Sequence, residues 1–281
     1  MTNIQPSVFT LGQTLLSLRG VSKSYDNVPV LSGVTRDILD VRRPDHPEIK
    51  QGQVVGLLGP SGVGKSTLLR IIAGLEAPDA GQILIGPEQT PTQMGQVGAV
   101  FQNYPLLDDR SVLSNLVFGA RRGGLRGKEA KDRAMEMLER FGLADQAKSL
   151  PAKLSGGQRQ RVAIAQQLLC SNHLLILDEP FSGLDTVKKG EACDIILETS
   201  RLDEEMTILV ITHDVHECVK VSDEIWMFGR EHHPNGKPIP GASVKIVYDL
   251  KAMGLAWHPE LTDTQAFFEF ERLVYRKIKE M

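Results

Sequence analysis

Apolar and polar positions change rhythm several times along the chain, and each change marks an element. Near the start, "LLSLRGVSKSYD" alternates apolar and polar residues, which predicts a strand entering a turn, and "VPVLSGVTRDILDV" predicts further antiparallel strand. "RRPDHPEIKQG" is a polar, proline-bearing loop. "QVVGLLG" is an unbroken apolar run, the pattern of a strand buried on both faces, and it leads directly into a glycine-rich stretch. Behind that stretch, "KSTLLRIIAGL" has helical spacing, and "GQILIG" and "VGAVFQ" predict further strands. From about 108 to 165 the strand signal gives way to helical periodicity, in "SVLSNLVFGARR", "KEAKDRAMEMLERFGL" and a helix opened by two glycines, "GGQRQRVAIAQQLLC". Alternation then resumes with strand "HLLILDE", helix "KKGEACDIILETSRL" and strands "MTILVITHD" and "EIWMFG".

This order predicts an α/β fold: a mainly parallel central sheet covered on both faces, an N-terminal antiparallel β subdomain, and an inserted helical subdomain. The tail, about 230–281, begins as loop plus strand in "REHHPNGKPIPGASVKIVYDL". It ends in "DTQAFFEFERLVYRKIKE", which puts Phe267, Phe270, Val274 and Ile278 on one helical face. Such a stripe docks on the chain's own core more often than on a partner.

Composition narrows the class without naming a function. At 281 residues the chain suits one large α/β domain, or one domain with a small appendage, and it is read as a single domain over 1–281. A net charge of −3 gives no pull toward nucleic acid or anionic lipid. The three cysteines, Cys170, Cys193 and Cys218, lack CxxC spacing and read as buried free thiols in a reducing compartment. No apolar run is long enough to span a bilayer, and "MTNIQPSVFTLGQTLL" lacks the basic start and apolar centre of a signal peptide. A soluble, cytoplasmic protein is expected, with any membrane role reached through a partner.

The glycine-rich stretch carries the first chemistry. "GPSGVGKST", Gly59, Pro60, Ser61, Gly62, Val63, Gly64, Lys65, Ser66 and Thr67, satisfies G-x-x-x-x-G-K-[ST] between a strand and a helix. Backbone N–H groups of such a loop converge on phosphate oxygens, aided by the helix N-terminus. Lys65 would reach the β- and γ-phosphates of a nucleotide, and Ser66 would offer its hydroxyl to Mg²⁺. "LLILDEP" supplies two acids at a strand's C-terminal end, where ligands of such sheets sit. Asp178 is expected to hold Mg²⁺ through a water, and Glu179 to act as general base toward the attacking water. An acid pair alone could be a solvated turn; the phosphate loop gives it meaning.

A second glycine pair stands in "LSGGQRQR", Leu154 to Arg161. Ser155 and the N–H groups of Gly156, Gly157 and Gln158 at a helix start form another anion-binding end with no lysine. It can complete a site supplied by another copy.

With these motifs in this order, the chain to about Gly229 resembles the ATP-binding subunits of ABC transporters, whose fold is that of P-loop NTPases. The resemblance implies an ATPase whose two subunits associate head to tail, the LSGGQ of one closing over ATP on the phosphate loop of the other. It implies that Tyr25 stacks on adenine, that Gln102 contacts Mg²⁺ and links the sheet to the helical subdomain, and that "SGLD", Ser182 to Asp185, crosses the dimer interface. It implies that His213 senses the γ-phosphate beside Glu179. The partners implied are a second ATPase subunit, identical or paralogous, separate transmembrane permease subunits at the inner face of the membrane, and a solute-binding protein if the system imports. No nucleic acid partner is expected. Importers are favoured, and the tail spacing in "IPGASVKIVYDLKAMGLAW" resembles those for nitrate, sulfonate and taurine-like solutes. The rivals are an exporter or lipoprotein-release ATPase of the same family, a soluble ABC ATPase of DNA repair or translation, and a generic P-loop kinase or GTPase. A single phosphate loop and the lack of sustained heptads count against the soluble ATPase, and "LSGGQRQR" against the kinase.

Several features stay outside the pattern. His213 and His216 have no evident third ligand for zinc. "ARRGGLRGK", Ala120 to Lys128, reads as a solvated loop between helices. Gln166 and Gln167 stand where the family commonly has arginine and alanine, a departure expected to touch packing rather than catalysis.

Overall fold

A computed structural model describes residues 9–42, 52–171, 174–256 and 261–281. Most of the polar loop read at 42–52 therefore lies outside the described residues, as does His173 of "HLLILDE".

The N-terminal region is an antiparallel sheet of β1 (Thr10–Tyr25), β2 (Val28–Arg42), β4 (Ala80–Ile85) and β5 (Thr90–Pro91), in the order β2-β1-β4-β5. Asp26 and Asn27 both have positive φ, 49° and 63°, and turn β1 into β2 as a two-residue hairpin. The central sheet contains β3 (Gln53–Leu58), β6 (Gly98–Val100), β7 (Leu174–Asp178), β8 (Thr207–Thr212), β9 (Glu224–Gly229) and β10 (Ser243–Asp249), ordered β10-β9-β3-β8-β7-β6. All its pairings are parallel except β10 on β9. Every residue of β3 and β8 is buried, which is why their sequences are continuous rather than alternating.

Helix α1 (Lys65–Ile72) follows the glycine loop. Between β6 and β7 come α2 (Val112–Arg122), α3 (Gly127–Arg140) and α4 (Gly156–Leu168), with α5 (Thr186–Ser200), α6 (Val215–Val221) and α7 (Gln265–Lys279) later in the chain. The solvated loop read at 120–128 is much shorter than the sequence suggested. α2 runs to Arg122, placing two arginines in its last turn where they complement the helix dipole, and α3 begins at Gly127.

Three apolar clusters hold these layers. One lies under α2 to α5, with Leu116, Leu138, Ile164 and Ile196 fully buried. The second fills the space between the two sheets around Leu68, Leu69 and Trp226. In the third, Phe267, Phe270 and Val274 of α7 pack with Val215, Cys218 and Val219 of α6 and Met227 of β9, while Ile278 packs partly buried at its margin. Cys193 and Cys218 are buried free thiols, but Cys170 is only partly buried.

Candidate functional site

The parallel order of β3, β8 and β7 brings three carboxyl-terminal strand ends side by side, and the site grows from them. β3 releases the chain into Gly59–Gly64, and Lys65 begins α1. The first intrahelical bond runs from Leu68 N to Gly64 O, so the N–H groups of Lys65, Ser66 and Thr67 have no helical acceptor and are available to an anion. Gly64 has φ 116°, and a Cβ there would stand 2.9 Å from Val30 Cγ1 of β2. The antiparallel sheet therefore forms a tight floor under the phosphate loop.

Lys65 is buried and folded over its own loop. Its Nζ donates to Gly59 O at 2.8 Å and Pro60 O at 3.0 Å, and lies 3.7 Å from Glu179 Oε1. Burial lowers its pKa, while the Glu179 and Asp178 carboxylates act in the opposite direction. The cation already marks where an anion is welcome.

At the end of β7, burial and then the neighbouring charge of Glu179 raise the Asp178 pKa, while the Ser66 hydroxyl and the charges of Lys65 and Arg70 oppose the rise. Asp178 Oδ1 is buried without a hydrogen-bond partner. An orphaned carboxylate oxygen next to a serine hydroxyl is a hard-oxygen donor set of the kind that suits Mg²⁺.

Glu179 leaves the strand with φ 50°, a left-handed setting that is rare for a non-glycine residue. Its backbone is held by a bond from its N–H to Ile211 O, 2.8 Å. Glu179 Oε2 lies 2.8 Å from His213 Nδ1 and accepts from the Thr212 hydroxyl at 3.3 Å. The same hydroxyl accepts from Asp214 N, 3.0 Å, and Asp214 caps α6. The two residues expected to share the hydrolytic role are thus in contact. His216 turns away to Glu271 of α7, 2.9 Å, so the two histidines serve different elements.

The remaining expected residues occupy distinct places. Gln102 Nε2 donates to Ser182 Oγ at 2.8 Å, joining the strand-to-helix connection to the loop behind Glu179. Tyr25 ends β1 with its ring partly exposed; its hydroxyl donates to Glu76 Oε1 at 2.6 Å and accepts from Arg70 at 3.3 Å. Asp185 caps α5 through Lys188 N.

Ser155 brings a role the motif reading overlooked. Its Oγ accepts from Gln158 N at 3.3 Å, while Gln158 Oε1 accepts from Ser155 N at 3.0 Å. This is a capping box at the start of α4, encoded by S-x-x-Q. Two orphan donors are satisfied at home, leaving the N–H groups of Gly156 and Gly157 without helical acceptors. Among the described residues no hydrogen bond joins Ser155–Gln158 to the phosphate loop of the same chain.

The glutamines that depart from the family pattern are packing groups. Gln166 Nε2 donates to Asn115 O at 3.0 Å, and Gln167 Oε1 accepts from Ala99 N at 3.4 Å. Asn115, itself fully buried, bonds Leu107 and the carbonyls of Arg110 and Ser111, so α4 is tied to α2, β6 and the 107–111 turn.

A family model described as ABC transporter matches residues 44–182. The Fe(3+) ions import ATP-binding protein FbpC of Agrobacterium fabrum is 40% identical over 215 residues, covering 75% of this chain and 59% of that protein. The aliphatic sulfonates import ATP-binding protein SsuB 3 of Rhodococcus jostii is 38% identical over 210 residues, covering 75% of this chain and 69% of that protein. A solved structure described as cbiO1 from Clostridium perfringens, part of the ABC transporter complex cbiONQ, has a TM-score of 0.70 at 25% identity and covers 94% of this chain and 99% of its own. The matches span between 51% and 69% of the length of the curated relatives.

Proposed function

The chain belongs to the family of ABC transporter ATP-binding subunits, and on that premise we propose that it binds and hydrolyses ATP to drive solute import through separate membrane subunits. The observation that carries this reading is the 3.7 Å approach of Lys65 Nζ to Glu179 Oε1, which joins the phosphate loop and the strand-end acids in one site.

The chain's own residues account for the steps. Backbone N–H groups of the glycine loop and of Lys65 to Thr67 receive the phosphates. Lys65 exchanges its two loop carbonyls for β- and γ-phosphate oxygens. Tyr25, at the open end of β1, stacks on the base. Ser66, Asp178 and Gln102 would hold Mg²⁺, Asp178 through a water and Gln102 on leaving Ser182, and the ion would supply charge neutralisation at the phosphates. Glu179 takes the proton of the attacking water, with His213 and Thr212 fixing the carboxylate. One γ-phosphate face stays open toward a second subunit, whose Ser155, Gly156, Gly157 and Gln158 complete it.

No helix among the described residues is long and apolar enough to cross a membrane. In this reading the subunit attaches to the inner face through permease subunits. A groove of about 470 Å³ on α2 and α3, lined by Leu113, Val117, Phe118, Arg110, Arg121 and Lys131, is the seat for such a subunit. FbpC and SsuB 3 are named for unlike solutes, Fe(3+) and aliphatic sulfonates, at similar identity to this chain. Solute choice therefore belongs to the permease and to a solute-binding protein.

The test is Glu179→Gln. ATP binding should persist, turnover should nearly vanish, and a dimer holding two ATP should accumulate in light scattering. Turnover at the wild-type rate would remove Glu179 from the base role.

A further inference from the structure

Five described residues other than glycine have a left-handed backbone. Asp26, Asn27 and Gln89 lie in turns between antiparallel strands. The other two are Glu179, φ 50°, and Tyr104, φ 44°, and they are linked through Pro180, because the Tyr104 hydroxyl donates to Pro180 O at 3.1 Å. Left-handed settings of bulky residues persist only where surrounding bonds over-determine them. Around Glu179 those bonds are its N–H to Ile211 O, Ser182 N to its own carbonyl at 3.1 Å, and the Tyr104 bond to the next carbonyl.

Tyr104 is itself held from the helical side. Its N–H donates to Phe101 O at 2.9 Å, its ring packs on the cluster beneath α2 to α5, and its carbonyl accepts from Arg159 Nε at 3.4 Å. Arg159 stands in the first turn of α4, directly behind the capping box of Ser155 and Gln158, and also pairs with Asp108 at 3.1 Å. Burial pushes the Tyr104 phenol up to about 12, which keeps it a proton donor across the neutral range.

We propose that Tyr104 is a positioning residue for hydrolysis, whose hydroxyl clamps Pro180 and so fixes Glu179 in its working backbone setting, with Arg159 making that clamp depend on where α4 sits. This rests on the ATPase reading above and adds to it a contact distinct from the Gln102–Ser182 bond. A shift of α4 against the sheet pulls on the Tyr104 carbonyl, loosens Pro180 and releases Glu179. The helix that serves the partner's nucleotide thereby reports its position to the base of its own subunit.

The experiment compares the full chain with Tyr104→Phe, which deletes the hydroxyl and keeps the ring. Losing one hydrogen bond of ordinary strength at the base should lower kcat for MgATP on the order of fivefold. The KM for ATP should stay within about twofold, because the nucleotide contacts are untouched. The melting temperature should fall by only about 2 °C, the cost of one hydrogen bond and a smaller change than a core defect gives. In the double variant with Arg159→Gln, the loss should not exceed that of the slower single variant, since both act through one strut. Wild-type kcat in Tyr104→Phe, a loss confined to KM, or losses that multiply would each overturn the clamp while leaving ATP hydrolysis intact. Failure of the wild-type chain to hydrolyse MgATP would overturn the ATPase reading and the clamp with it.

Discussion

Gly62 and Gly64 both have positive φ, 73° and 116°, yet they differ in what surrounds them, and alanine at each separates two physical costs. A Cβ on Gly62 would meet nothing within 4 Å. Gly62→Ala then costs only the left-handed backbone penalty, about 1–2 kcal/mol. A Cβ on Gly64 would lie 2.9 Å from Val30 Cγ1 and 3.2 Å from both Leu31 Cδ2 and Val30 O. Gly64→Ala adds overpacking of about 1–3 kcal/mol to backbone strain of about 1–3 kcal/mol, or about 2–6 kcal/mol together. The smaller unfolded-state entropy of alanine offsets part of each cost equally and cancels in the comparison. For 281 residues, an unfolding entropy of about 2.1 cal/mol/K per residue gives ~0.6 kcal/mol per degree. The expected falls in melting temperature are about 2–3 °C for Gly62→Ala and about 3–10 °C for Gly64→Ala. Both are read by calorimetry on the nucleotide-free protein, and the second should also weaken ATP binding, since the overlap displaces the loop itself. Equal melting shifts, or a Gly64→Ala protein at least as stable as Gly62→Ala, would refute the argument that β2 forms a rigid floor under the phosphate loop.

Two further outcomes follow from the site. Ser155→Arg should leave ATP binding to the single subunit intact while abolishing dimer closure and hydrolysis, because a long cation would crowd the partner's γ-phosphate; full activity independent of protein concentration would sink the shared-site reading. Asp178 has a pKa raised by burial, so its contribution to folding is present below its unfolded value and lost as pH rises through the higher folded one. Asp178→Asn should therefore melt above the wild type at neutral pH without nucleotide, with the gap closing toward acid. It should also lose the extra melting shift that Mg²⁺ adds to bound nucleotide; an unchanged gap across pH would refute the burial account.

Legibility tracked sequence separation. The phosphate loop, the Asp178–Glu179 pair and the LSGGQRQR stretch each lie within nine residues, so local spacing carried them, and the α7 stripe was readable from helical periodicity. The Thr212–Glu179, Gln166–Asn115 and Tyr104–Pro180 bonds join positions 33, 51 and 76 apart, and no local pattern encodes which distant carbonyl or carboxylate a hydroxyl will meet. Ser155 shows another limit. The same four letters fit both the phosphate-facing helix start proposed above and the capping box the structure shows, so spacing alone does not assign the hydroxyl. At 120–128 the basic charges suggested solvent, but charge does not distinguish loop from the exposed end of a helix.

The capping box bears on how the subunit endures repeated cycles. A helix start whose donors waited for a ligand would fray in every open state and would have to refold at each encounter. Ser155 and Gln158 close that end within the chain, leaving the Gly156 and Gly157 amides fixed in direction ahead of the partner nucleotide proposed to meet them. Association then loses little conformational entropy at this surface, and separation exposes no unwound backbone to proteases or to aggregation.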